Sequence, residues 1–135
     1  MDGQDGGGMP MFLLPENVAR QDGSGADCPL GAGRGKPLRI TLGITRSMEQ
    51  ESLEIAVWGS ADRKDWKLLQ VFPLKFYCGT YSLLLDLAQH PEVRHLRASW
   101  KMSRWGGGDP SPLFGFYLTA EEAQAQAVGA SSPAA

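Results

Sequence analysis

The sequence is poor in the residues that most active sites and metal sites are built from. It carries two cysteines, Cys28 and Cys78, and two histidines, His90 and His95, in 135 residues. Two thiols so far apart exclude a zinc site of cysteines alone and a disulfide scaffold, so free thiols are expected, with a Cys28–Cys78 bridge as the alternative for an exported protein. Neither histidine has a cysteine or carboxylate at metal-ligand or triad spacing, since His90 precedes Pro91 and His95 falls on the polar side of an alternating stretch. No cofactor and no metal are expected. No run approaches the roughly 18 apolar residues of a membrane span. No secretion signal is expected either, because Asp2, Gln4 and Asp5 stand where a basic n-region would, and the expected location is cytoplasmic.

Charge of one sign is also scarce. The formal net charge is −2, and by segment residues 1–35 are acidic by three, residues 36–119 positive by three and the end negative by two. A surplus of three spread over many strands falls short of a basic stripe, which excludes a nucleic-acid partner. Gly31-Ala32-Gly33-Arg34-Gly35 has no strand before it and no helix after it, so it reads as linker and not as a phosphate loop.

What is present is a set of short alternating segments between two biased ends. The length fits one domain of about 100 to 150 residues. Residues 1–35 hold nine of the seventeen glycines with Pro10, Pro15 and Pro29, and only the cluster Met11–Leu14 is apolar. Such a stretch predicts a disordered Gly-rich N-terminal segment. Residues 120–135 read as an Ala/Gln-rich tail, frayed or extending a short helix from Glu121 to Val128. The domain proper is expected over 36–119.

Within it, Leu38, Ile40, Leu42 and Ile44 alternate with Arg39, Thr41 and Gly43, the period of a half-buried strand. Ser52–Trp58 places Leu53, Ile55 and Val57 on one face and Glu54, Ala56 and Trp58 on the other. Gly59 to Asp65 supplies a turn, Trp66 opens a third strand, and Pro73 ends it. Further strands are expected over Phe76–Leu87, around Leu96–Met102 and over Leu113–Thr119. Six strands without an amphipathic helix predict an all-β fold, a sandwich or barrel of antiparallel strands. Its core is expected to contain Leu42, Ile55, Val57, Leu85, Leu96, Trp100 and Phe116.

The run Trp58-Gly59-Ser60-Ala61-Asp62-Arg63-Lys64-Asp65-Trp66 resembles the strand and Ser-x-Asp-Gly-x-x-Trp turn of the galactose-binding-like, discoidin-type jelly rolls. Val93-Arg94-His95-Leu96-Arg97-Ala98 is similar to the strand that family writes as Ala-Arg-Tyr-Val-Arg-Ile. The chain departs from the pattern in having Lys64 where the turn glycine would sit. It is also similar to a group of bacterial proteins of unassigned activity that share a Trp-Gly-Ser-x-Asp core. The resemblance implies a single antiparallel β-sandwich of jelly-roll type, a fold whose members bind glycans, lipids or proteins through loops at one end.

Few constellations carry chemistry. Glu49, Glu51 and Glu54 form the one acidic cluster, and paired carboxylates about 5 to 9 Å apart can serve glycoside hydrolysis, but charged residues in and beside a turn entering a strand ordinarily just face water. Asp62 and Asp65 have the oxygen chemistry of a calcium site and equally that of an Asx turn. Arg104 and Trp105, followed by Gly106 to Asp109, offer an aromatic face and a guanidinium beside a loop, suited to a sugar ring or a protein partner, although Trp105 as a plug at the sandwich end is the structural alternative. The expected ligand-binding residues are therefore Arg104, Trp105, Asp109, Asp62 and Asp65. The expected function is a non-catalytic binding or accessory module for a glycan or protein. The alternative is a structural subunit docking through a sheet face that includes His95, Arg97 and Lys101.

Overall fold

A computed structural model describes residues 11–105 and 111–123. Its strands are β1 (Met11–Ala19), β2 (Gly23–Ser24), β3 (Cys28–Pro29), β4 (Pro37–Arg46), β5 (Glu51–Ser60), β6 (Lys67–Val71), β7 (Gly79–Asp86), β8 (His95–Arg104) and β9 (Phe114–Glu122). One sheet runs β1-β9-β4-β7 and the other β2-β8-β5-β6, with β3 also paired to β8. Every pairing is antiparallel, and the two sheets pack over a common core. The all-β sandwich expected from the alternation is what the chain forms.

The core follows from period two. Leu38, Ile40, Leu42 and Ile44 of β4 and Phe114, Phe116, Leu118 and Ala120 of β9 are buried from one sheet. Leu53, Ile55 and Val57 of β5 with Leu96 and Ala98 of β8 are buried from the other. Trp100 lies on this inward side but is only half-buried. Its ring packs edge-on to Phe116 at 5.4 Å between centroids, and its Nε1 donates to Gln21 O at 2.9 Å.

The expectation of a disordered stretch over residues 1–35 is corrected for its described part. Residues 11–35 contribute three strands, and Leu13, Leu14, Ala19 and Leu30 are buried. Burying Leu13 and Leu14 contributes about 1.5–3 kcal/mol each, which offsets the ordering of the segment. The alternation was hidden because β1 is irregular, its pairing with β9 shifting register between Phe12 and Leu14 and again between Leu14 and Asn17. Pro15 falls within the second irregularity, where a missing N–H breaks no regular ladder. Gly23 is needed for close approach, since a Cβ there would stand 2.5 Å from Cζ2 of Trp100.

Two other boundaries move. β9 runs to Glu122, not Thr119, so Glu121 and Glu122 are strand where a helix from Glu121 to Val128 was one expectation, and the rest of that stretch beyond Ala123 lies outside the described residues. The strand expected over Phe76–Leu87 begins at Gly79, because Pro73 to Cys78 form a connection joined to β5 only by the Leu53–Lys75 bridge. Asp86 then caps a single 3-10 turn over Leu87–Gln89, its side chain accepting from Ala88 N.

Since β5 and β8 are antiparallel, residues 50, 51, 104 and 105 share one end of the sandwich. The turn after Ser60 and the start of β8 at His95 share the other. Among the described residues no helix is long and apolar enough to cross a membrane.

Candidate functional site

At the first end, Glu51 is 1% exposed and opposes Arg104 across the β5–β8 pair. Its carboxylate accepts from Met48 N through Oε2 and from Leu113 N through Oε1 at 2.8 Å, joining the β4–β5 loop to the chain entering β9. Arg104 donates from Nη1 to Ser111 O at 3.5 Å, and Trp105 N donates to Gln50 O at 2.9 Å. The backbone at this end is thus held, and the side chains above it are displayed.

Those side chains are aromatic. Trp105 is 60% exposed and meets Phe76 edge-on at 6.2 Å, so its ring is not a plug inside the sandwich. Phe76 in turn lies 6.3 Å from Tyr77, which is 73% exposed. The paired backbone bonds between Leu53 and Lys75 bring this segment beside β5. Below it Lys75 Nζ sits 4.2 Å over the Tyr81 ring, and Tyr81 Oη donates to Tyr77 O at 2.9 Å.

The turn at the opposite end is held by its own side chains. Ser60 Oγ accepts from Asp62 N at 3.1 Å and Arg63 N at 2.7 Å, while Asp62 Oδ1 accepts from Lys64 N at 2.8 Å and Asp65 N at 3.0 Å. Arg63 takes φ of 68° in this turn, a conformation the hydrogen bonds must hold against its side chain. The backbone N–H groups of Asp65 and Lys64 hold the Asp62 carboxyl below the usual carboxylate range. This is the Asx-type turn of the two readings offered for these aspartates. Among the described residues no three His, Cys, Asp or Glu side chains gather to hold a metal ion.

The outer face of the β5–β8 sheet carries a third feature. Two adjoining hollows of about 230 Å³ each lie along β5 and β8, and both are lined by Trp58 and Ser99. Trp58 leans diagonally across the sheet, its Nε1 donating to Ser99 Oγ at 2.9 Å. Glu54 and Lys101, direct partners across the strands, line one hollow. Trp66 and Arg97 line the other, with the guanidinium 4.3 Å over the indole and Nη1 3.6 Å from Asp27 Oδ1.

No family model matches this chain, and no curated protein matches it significantly.

The residues singled out from sequence therefore fall in separate places. Arg104 and Trp105 lie at one end, Asp62 and Asp65 at the other, and Asp109 lies outside the described residues. Arg97 and Lys101 share the outer face, whereas His95 is half-buried at the strand end with a buried Nδ1 that no hydrogen bond satisfies. Cys28 and Cys78 are free thiols, and burial followed by the nearby Asp27 charge pushes the Cys28 thiol up. Phe76 and Tyr77 were missed as surface residues because their aromatic character read as strand. The signal that marks them is Pro73 and Gly79 bracketing a loop.

Proposed function

We propose that this chain is a non-catalytic recognition module of jelly-roll type that binds a partner protein through the aromatic cluster Trp105, Phe76 and Tyr77. The cluster is the observation that carries the reading. Trp and Tyr dominate binding energy at interfaces because they bury a large area at little conformational cost, and here three aromatic rings stand together on a held backbone. The carboxylates nearest the candidate sites support a role without catalysis, since Glu51 and Asp62 are both engaged by backbone N–H groups.

Strand order supports the jelly roll. With β2 and β3 counted as one broken strand, the sheets read 1-8-3-6 and 2-7-4-5, the two-Greek-key order of that architecture. A relationship to the discoidin-type domains belongs to the same proposal and rests on this order and the Ser60–Asp65 turn. Free thiols support a reducing, cytoplasmic setting. Docking as a structural subunit through His95, Arg97 and Lys101 is less well supported, because His95 is half-buried and Arg97 is already engaged by Trp66 and Asp27.

The test is affinity capture with the full chain and its Trp105→Ala and Tyr77→Ala variants, followed by titration of the captured protein in purified form. A partner bound by the wild type and lost by both variants, with unfolding midpoints unchanged, supports the reading. A partner bound equally by all three chains refutes it.

A further inference from the structure

We propose that β7 is a docking edge for a second copy of this chain, the two β7 strands pairing antiparallel about a two-fold axis so that two β1-β9-β4-β7 sheets become one. Sheet edges invite such pairing because their outward N–H and C=O groups have no ladder partner, and chains ordinarily obstruct them with charge, proline, bulges or brevity. The other edges here are obstructed. β1 contains Pro15, Glu16 and two register shifts, and β2 and β3 are two residues each. β6 has five residues, begins with Lys67 and pairs with β5 through a register shift. β7 is built differently. It has eight residues with no Lys, Arg or Pro, and it keeps unbroken register against β4 from Pro37–Asp86 to Ile44–Gly79.

Hydrogen bonds on either side of β7 fix which of its groups face outward. Alternate residues of an antiparallel strand turn both backbone groups toward the neighbour, and the residues between turn theirs away. Leu87 N donates to Lys36 O at 3.1 Å on the β4 side, which sets the odd-numbered residues inward. Leu84 O instead accepts from Gln70 Nε2 of β6 at 3.4 Å, a long bond for an amide donor. Thr80, Ser82, Leu84 and Asp86 therefore turn their backbone groups to the open edge, where among the described residues no strand pairs with them.

A second copy suits this edge better than an unrelated peptide. With the axis at Leu83, Thr80 stands opposite Asp86 of the second copy and Ser82 opposite its Leu84, so the outward residues map onto one another, donor to acceptor. Ser82 N of the second copy then replaces Gln70 at Leu84 O. Asp86 is the one charge on the strand, and the axis sends the two carboxylates to opposite ends of the joint, so like charges do not meet. Leu83, half-buried in one copy, meets its counterpart at the axis, and Leu84, 56% exposed, gains a neighbouring strand. Both strands are already held extended by β4, whereas a free peptide would first have to be ordered. The joint also closes, since it leaves no β7 edge for a third copy.

The test is sedimentation velocity on the full chain from about 1 µM to about 500 µM, with amide exchange read residue by residue at both limits. The wild type should pass from monomer to dimer and no further. The amides of Thr80, Ser82 and Leu84 should gain protection as concentration rises, while those of Leu83 and Leu85, turned to β4, stay protected throughout. Leu84→Lys sets a charge on the edge and Ser82→Pro removes an outward N–H that β4 does not use, and each should weaken the dimer by about tenfold or more. Leu84 is exposed in the single copy, so Leu84→Lys keeps the test decisive if Ser82→Pro fails to fold. Trp105→Ala should dimerise as the wild type does, which separates this edge from the aromatic cluster at the loop end. A monomer at every concentration overturns the proposal. So does open-ended assembly, protection of Thr80, Ser82 and Leu84 that ignores concentration, a dimer untouched by Leu84→Lys, or a dimer lost in Trp105→Ala.

Discussion

Glu51 on β5 accepts the backbone N–H of Leu113, the residue before β9, across 62 positions of sequence at 2.8 Å. The same carboxylate accepts from Met48, three residues back, so one buried side chain ties two loops to the end of the sandwich. Replacing Glu51 with Ala leaves both part-buried N–H groups without their acceptor. The expected loss is about 3 kcal/mol, the range for hydrogen bonds to a charged group together with unsatisfied donors. Glu51→Gln keeps one amide oxygen as acceptor and should lose less. Denaturant midpoints of the two variants check this, and a loss below about 1 kcal/mol for Glu51→Ala would contradict the role assigned to the carboxylate.

Trp100 and Gly23 form a second such unit. The indole ring lies against Gly23 on one side and Phe116 on the other, with its N–H on Gln21 O. Trp100→Ala removes all of these at once and should cost about 3 kcal/mol, at the low end of buried aromatic truncations because the ring is half-buried. Gly23→Ala drives a methyl into the same ring and should cost about 1–3 kcal/mol by overpacking. If Gly23→Ala is neutral while Trp100→Ala is costly, the β2 strand shifts freely and does not clamp the ring.

β1 is the element on which the sequence reading and the structure differ most. It covers one side of β9, so deleting residues 1–20 strips Leu13, Leu14 and Ala19 from the core and exposes the β9 edge. Deleting residues 1–10 touches none of these. The longer deletion should therefore give an aggregating or unfolded chain and the shorter one a chain with native stability, read by thermal unfolding and light scattering. A stable, monomeric product from the longer deletion would return the N-terminal segment to the role of a dispensable tail.

The sandwich was legible where strands keep strict period two. Leu53, Ile55 and Val57 alternate with Glu54, Ala56 and Trp58, and the structure buries the first set and turns the second outward. β1 was not legible because its two register shifts break the alternation, and the glycines around it looked like linker although Gly23 marks a close approach to Trp100. The Ser60–Asp65 turn was read from residue chemistry alone, since Asx and Ser side chains bond backbone locally. The aromatic cluster was half legible. Trp105 was visible as an aromatic beside a loop, but its neighbours Phe76 and Tyr77 come from a connection 29 and 28 residues away that the Leu53–Lys75 bridge brings alongside. The hollows on the outer face were legible as an outward set of residues and not as cavities, because the lean of Trp58 onto Ser99 depends on which strands are neighbours.

The last prediction concerns pH and the Ser60–Asp65 turn. The Asp62 carboxyl sits below its usual range because the backbone N–H groups of Asp65 and Lys64 bond its charged form. A carboxyl whose folded-state value lies below its unfolded one binds fewer protons in the folded chain. Its contribution is then fully present above the unfolded value near pH 4 and is lost as pH falls through the lower folded value. Glu92 is shifted in the same direction by its bond from Lys67, so the wild-type acid limb contains both groups. Asp62→Asn keeps an oxygen acceptor for the turn but no longer titrates. The stability gap between wild type and Asp62→Asn should therefore be widest near neutral pH and narrow steadily below about pH 4, while the gap to Glu92→Gln narrows independently of it. Urea denaturation of the three chains from neutral to strongly acidic pH reads both gaps. A gap for Asp62→Asn that stays constant across that range would show that the turn depends on the shape of the side chain and not on its charge.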